Sequence, residues 1–209
     1  MCPQQNEGLT IWHVWCRNGA AGVRHNQAMD EQRTERAFNR SVIALQSGDI
    51  TTVAADAIVN AANNAFAHGG GVDGAIRRAA GPELSGEMRR RYPSGTPTGT
   101  AVWTGAHALP ARWVIHAVGP VWGQGGQDKL DLLASAYLQA LLTADDLGAR
   151  TVAAPAISGG TFGFPIDVVA DVALRTVRDH LLGETGIERV TFVLRGDALK
   201  AFSRRLATI

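Results

Sequence analysis

Apolar positions along the chain change period in a regular way, and the changes mark its elements. From Val42 to Leu45 a short apolar run ends at Gly48-Asp49-Ile50, and a second run over Ala57–Ala61 ends in asparagines and glycines. Runs of this length bounded by turn residues read as buried strands. Helical spacing then begins at Val72, Ile76 and Ala80 and passes into a second short helix from Pro82 to Arg91, with a proline allowed in its first turn and Arg89, Arg90 and Arg91 on a solvated face. A Pro/Gly/Thr loop at 93–99 separates this helix from strands at 100–104 and 112–118.

Leu130, Leu133, Ala134, Tyr137, Leu138 and Leu141 predict one long amphipathic helix ended by Gly148. Thr151 to Ile157 reads as a buried strand, and Pro165 opens a helix whose apolar face is Ile166, Val169, Ala170, Ala173, Val177 and Leu181. A last strand at Val190–Leu194 precedes a helix capped by Asp197 and running to Leu206. Strands alternating with helices indicate an α/β layered domain with a largely parallel sheet. Residues 1–40 lack this order. They carry Trp12, Trp15 and five arginines without period, and are expected to form a poorly ordered extension, with a short helix over Asp30–Phe38 or a docked tryptophan as alternatives. Met29 would also open a plausible shorter chain.

The 209 residues fit one domain with an appendage, and 45% hydrophobic residues suffice for a core. A net charge of +1, with the two lysines Lys129 and Lys200 far apart, argues against a nucleic-acid footprint. Both cysteines, Cys2 and Cys16, lie in the extension, so the domain has neither a disulfide framework nor a cysteine zinc site, and no HExxH or HxxxH pair occurs. No apolar run approaches the roughly 18 residues of a membrane span. The expectation is a cytoplasmic protein with no metal, cofactor or membrane partner, working as a monomer.

The chemistry concentrates in Ile58–Gly81, IVNAANNAFAHGGGVDGAIRRAAG. Three glycines, Gly69 to Gly71, before a helix bring the backbone close to a ligand, and the free N–H groups of the first turn suit a phosphate. Asp73 in that turn repels a phosphate placed directly at the helix end, so it is expected to face hydroxyls, as in a sugar joined to a diphosphate. A second glycine loop, Ser158-Gly159-Gly160-Thr161-Phe162-Gly163, also follows a strand and precedes a helix, so both loops fall on the rim where open α/β sheets bind ligands. Neither has GxGxxG spacing or a Walker lysine, which sets aside dinucleotide oxidoreductases and P-loop enzymes.

VNAAN at 59–63, GGGVDGAI at 69–76 and AAG at 79–81 resemble the first ligand loop of the macrodomains, in the MacroD-type branch that hydrolyses ADP-ribose from proteins. SGDIT at 47–51 resembles the adenine turn, RWVIHAVGPVW at 112–122 the central strand and its loop, and ISGGTFGFP at 157–165 the second ligand loop. The likeness covers about Ser41–Leu206 and implies a three-layer α/β/α macrodomain over 41–209 with a mixed, largely parallel central sheet. It implies an ADP-ribose or ADP-ribosylated-protein partner, with Asp49 and Ile50 at the adenine, and the amides of Gly70, Gly71 and Val72 and of Ser158, Gly159, Gly160, Thr161 and Phe162 at the diphosphate. Phe162 would pack on the distal ribose, and Asn63 and Asp73 would hold that ribose and the attacking water. Asn60 is read instead as tying the loop to its own backbone.

Two departures matter. The branch commonly reads DGAIH where this chain has Arg77, and STG where it has Ser158-Gly159-Gly160. Arg77 stands one turn after Asp73 and is expected to ion-pair with it, favouring the ionised carboxylate and weakening it as a general base. Hydrolysis of mono-ADP-ribosyl esters or O-acetyl-ADP-ribose would then rest on positioned water and on a substrate phosphate. A non-catalytic ADP-ribose reader and a hydrolase acting on nucleic-acid ends are the alternatives.

Overall fold

The structure, a computed structural model, describes residues 34–123 and 126–209. Seven strands form one sheet: β1 (Glu35–Phe38), β2 (Ser41–Ser47), β3 (Ala57–Ala62), β4 (Ala101–Gly105), β5 (Trp113–Val118), β6 (Thr151–Ala154) and β7 (Arg189–Leu194). Their order is β1-β2-β7-β6-β3-β5-β4. The outer pairs β1·β2 and β4·β5 are antiparallel and the four inner pairs are parallel, so the sheet is mixed and largely parallel.

Helices α1 (Gly71–Ala80) and α2 (Pro82–Arg91) cover one face; α3 (Gln127–Asp146), α4 (Ile166–Leu182) and α5 (Asp197–Leu206) cover the other. The resulting fold has three layers, α/β/α. Strand alternation divides the core accordingly. Ala57, Val59, Ile115 and Ala117 point into the α3–α5 side, whereas Ile58 and Val114 join Ile76, Ala80, Leu84 and Met88 on the α1–α2 side. The same parity places Asn60 and His116 on the α1 side of adjacent strands, where they are register partners.

Several boundaries and faces differ from expectation. The helix expected over Asp30–Phe38 is absent from its described part: Glu35–Phe38 is a strand paired with β2, so the sheet begins ahead of residue 41. Long-range partners decide this, since Arg36 Nη1 donates to the Leu206 and Ala207 carbonyls and Glu35 pairs with Arg189. Trp12, Trp15 and the rest of residues 1–33 lie outside the described residues. β6 stops at Ala154, immediately before Pro155. On α3 the buried stripe is Leu133, Ala136, Tyr137, Ala140, Leu141 and Ala144, and helical phase places Leu138 on the outward side of that stripe. Gly196, with φ 55°, is the N-cap of α5, and Asp197 occupies the first turn.

Candidate functional site

The loops after β2, β3, β5 and β6 all leave the carboxyl edge of the parallel strands. Between them lies a cleft of about 290 Å³ walled by residues 61–63, 69–73, 119, 156–158 and 160–162. A second hollow of about 410 Å³ shares Gly71, Val72, Ala156 and Gly160 with it and extends past Asp49, Ile50 and Arg195. The two share these walls and run together as one groove from Asp49 and Arg195 at one end to Asn63 and Asp73 at the other. Of the expected site residues, Asn63, Gly70, Gly71, Val72, Asp73, Ser158, Gly160, Thr161 and Phe162 line the inner part. Asp49, Ile50 and Gly159 line the outer part.

Glycine serves the site in different ways at different positions. Gly71 has φ 54°, and a side chain on Gly70 or Gly160 would project into open space, so these residues leave the amides uncovered. Gly69 and Gly74 instead let loop and helix close on each other: a Cβ at Gly69 would lie 3.0 Å from Asp73 Oδ2, and one at Gly74 2.9 Å from the Gly69 carbonyl oxygen. Gly119 admits the second loop, because a Cβ there would come within 2.3 Å of Ser158 Oγ and 2.5 Å of Ile157 Cγ2. Ser158 itself is left-handed at φ 64°, and its buried Oγ has no hydrogen-bond partner among the described residues. At Gly159 a Cβ would meet Ile166 Cδ1 at 3.0 Å, so Ile166 occupies the room that a threonine would need.

Asp73 is the chemical centre and is only 4% exposed. Its Oδ2 accepts from the Gly69 amide at 2.9 Å and from Arg77 Nε at 2.8 Å, and its Oδ1 accepts from Asn60 Nδ2 at 2.7 Å. A carboxylate has about four acceptor sites, so one lone pair on Oδ1 remains for a water or hydroxyl. The expected Arg77 ion pair is present and buried. Arg77 also donates to Ser85 Oγ at 3.0 Å and to the Phe66 carbonyl at 3.1 Å, tying α1 to α2 and to the ligand loop.

The two asparagines are arranged differently from expectation. Asn63 binds its own loop, with Nδ2 donating to the Ala67 carbonyl at 2.8 Å and Oδ1 accepting from the Ala67 amide at 3.0 Å. One N–H and one oxygen lone pair stay free for a ligand. Asn60, read as the loop tie, is fully buried and reaches Asp73; its position on the Ile58 face of β3 aims it away from the loop backbone. Behind it His116 Nδ1 lies 3.2 Å from Asn60 Nδ2, and His116 Nε2 lies 2.9 Å from Thr104 Oγ1. Burial, seconded by the Arg77 guanidinium, pushes His116 down to about 3, so the ring is neutral at pH 7. Neither His116 nor Thr104 stood out in the sequence. The available signal was a histidine within an otherwise apolar strand, on the same face as a strand asparagine.

At the outer end Asp49 Oδ1 accepts from the Thr51 amide and hydroxyl, capping a short 3-10 turn over Ile50–Thr52. Those bonds, foremost the one from the Thr51 amide, hold Asp49 below the ordinary carboxylate range. Oδ2 faces Arg195 at 3.1 Å, and Arg195 Nε also donates to the Gly48 carbonyl. Opposite, the Phe162 carbonyl accepts from the Trp122 amide, joining the loops after β5 and β6.

The Macro domain family model matches residues 59–173, which contain both glycine loops. A Macro domain-containing protein of Streptomyces coelicolor is 52% identical over 168 residues, covering 78% of this chain and 98% of the relative. The O-acetyl-ADP-ribose deacetylase of Escherichia fergusonii is 46% identical over 171 residues, covering 81% and 97%. Among solved structures, the Oceanobacillus iheyensis macrodomain with ADP superimposes with a TM-score of 0.77 at 36% identity, covering 82% of this chain and 93% of that one.

Proposed function

Because the chain belongs to the Macro domain family, we propose that its groove binds ADP-ribose and that the protein hydrolyses mono-ADP-ribosyl esters on acidic side chains, O-acetyl-ADP-ribose, or both. The adenine lies at Asp49 and Ile50, and the diphosphate lies on the amides of Gly70, Gly71 and Val72 and of residues 158–162. The distal ribose reaches Phe162, Asn63 and Asp73. The partner is free or protein-linked ADP-ribose, and the protein acts as a monomer without a cofactor.

One observation carries the hydrolytic reading: a buried carboxylate held by three donors at the floor of a glycine-walled cleft keeps a single acceptor site on Oδ1. Such a group fixes the direction of a water without having to remove its proton, and positioning is a large part of what an active site contributes. In a mono-ADP-ribosyl ester the water bonds to the anomeric carbon of the distal ribose as its bond to the acceptor carboxylate breaks and that carboxylate leaves. In O-acetyl-ADP-ribose the water adds to the acetyl carbonyl, and the ribose oxygen leaves as a hydroxyl with release of acetate. In both, a phosphate oxygen of the substrate takes the proton of the water. The relative from Escherichia fergusonii, an O-acetyl-ADP-ribose deacetylase by name, supports the same chemistry.

The Arg77–Asp73 pair favours a second reading, a non-catalytic reader, because Arg77 Nε occupies Oδ2 and ties the carboxylate back to α1, away from a reacting group. Incubation with automodified mono-ADP-ribosylated protein, following free ADP-ribose, separates the two. Release supports the hydrolase; tight binding without release identifies the reader. Release from nucleic-acid ends alone identifies an enzyme of another substrate class.

A further inference from the structure

We infer that Asn60 is a positioning residue for Asp73, locked in one orientation by His116; this deepens the hydrolytic reading and rests on it. Asn60 sits in β3 and Asp73 in α1, so their bond fixes the carboxylate to the sheet and not merely to its own helix. The amide orientation follows from chemistry. With Oδ1 turned toward Asp73, two acceptor oxygens would lie 2.7 Å apart, so Nδ2 must face the carboxylate. Its second hydrogen then points to His116 Nδ1, which makes that nitrogen the acceptor and leaves the proton on Nε2, donated to Thr104 Oγ1. Along Thr104–His116–Asn60–Asp73, donation therefore runs outward from Asn60 in both directions, to Asp73 on one side and through His116 to Thr104 on the other, an assignment fixed by a neutral imidazole.

Two further observations point to a task beyond stability. Asn60 Oδ1 is buried without a hydrogen-bond partner among the described residues, an arrangement that is itself destabilising. Phe66, in the wall of the ligand loop, packs edge-on against the His116 ring with centroids 6.0 Å apart, so the loop and the relay share a contact. Arg77 restrains Oδ2 from the helix side and Asn60 restrains Oδ1 from the sheet side. With the Gly69 amide also on Oδ2, one acceptor site of the carboxylate is left, on Oδ1.

The test is steady-state hydrolysis of O-acetyl-ADP-ribose by the full chain and its variants, with melting temperature followed at every pH. Asn60→Leu is expected to lower kcat about 10–100-fold, the range seen when an orienting outer partner is lost, with KM within about twofold of wild type. Asn60→Asp supplies a signature that a merely structural role would not give. A protonated Asp at 60 donates to Asp73 as the amide does, whereas two carboxylates there repel. The variant-to-wild-type ratio of kcat is expected to be highest near pH 5 and to fall toward pH 8. The nearby ionisable groups are Asp73 and Arg77 of α1 and His116 of β5, with Glu87 and Arg91 of α2 farther out. His116→Asn, which restores an acceptor near the Nδ1 position, should recover most of the kcat lost in His116→Leu. A pH-independent ratio for Asn60→Asp, or wild-type kcat in Asn60→Leu, overturns the proposal. The Gly69 amide resonance reads Asp73 Oδ2 without turnover and should move in Asn60→Leu. If it does not move, the proposal fails whether or not the wild-type chain hydrolyses the ester, whereas absent wild-type turnover with a moving resonance removes only the hydrolytic reading.

Discussion

Replacing Arg77 by methionine tests the centre of the site most directly. The substitution keeps an unbranched stem through α1 but removes three hydrogen bonds, to Asp73 Oδ2, Ser85 Oγ and the Phe66 carbonyl. Asp73 would remain 4% exposed with only the Gly69 amide and Asn60 as donors. Breaking a buried ion pair from one side costs about 3–5 kcal/mol, since the surviving charge is left without its partner. For a domain of this size that corresponds to a melting temperature lower by about 6–20 °C, at roughly 2–4 °C per kcal/mol. The double variant Asp73→Asn with Arg77→Met removes the stranded charge. It should therefore be more stable than Arg77→Met alone, with a coupling energy of about 1–3 kcal/mol in a double-mutant cycle measured by urea unfolding. Strict additivity of the two single effects would mean that the 2.8 Å contact carries no energetic coupling, and the account of Asp73 as a carboxylate fixed by its partners would be wrong.

Four further outcomes are expected. ADP-ribose should bind in the micromolar range, on the order of −7 to −9 kcal/mol, and ADP more weakly, because the groove continues beyond the diphosphate to Asn63 and Asp73; calorimetry giving equal affinities refutes this. Asp73→Ala should lower turnover by about 100-fold or more while the loop amides keep much of the binding, and wild-type turnover in this variant would remove Asp73 from the mechanism. Gly119→Ala should displace the second loop and weaken ADP-ribose binding, since its Cβ would overlap Ser158 Oγ and Ile157 Cγ2; unchanged affinity would contradict the packing. His116 has a folded value of about 3 against an ordinary 6.5, so the unfolded chain binds the proton first, and stability present above pH 6.5 is lost as pH falls toward 3. About 2 kcal/mol should be gone by pH 5, before the carboxylates Asp49, Asp56 and Glu87 titrate, and a urea midpoint unchanged between pH 7 and pH 5 would count against a buried neutral ring.

The elements legible in the sequence were those whose burial is periodic. The apolar runs of β2, β3, β5 and β7 and the helical spacing of α1, α3 and α4 need no knowledge of neighbours, and the glycine loops announce themselves by what a side chain would block. β1 was not legible for the opposite reason. Glu35-Arg36-Ala37-Phe38 follows acidic residues that resemble a helix start, and only β2 and the distant carbonyls of Leu206 and Ala207 make it a strand. The Asp73–Arg77 pair was foreseeable because i,i+4 spacing alone brings the side chains together.

Asn60 and Asn63 mark where reading along the chain reaches its limit. Both belong to one short motif, Asn60 inside β3 and Asn63 just past its end, and the sequence alone points to Asn60 as the tie to the loop. Strand parity supplies the discriminating argument: Asn60 shares the face of Ile58, which packs under α1, so its side chain must meet the helix that carries Asp73. What parity cannot supply is the partner on the next strand. The parallel register of β3 with β5 puts His116 beside Asn60, and the antiparallel turn into β4 brings Thr104 within reach of the same ring. Three neighbouring strands thus stand behind a carboxylate carried by a single short motif, and the direction in which Asp73 can hold a water is decided as much by the sheet beneath it as by the loop around it.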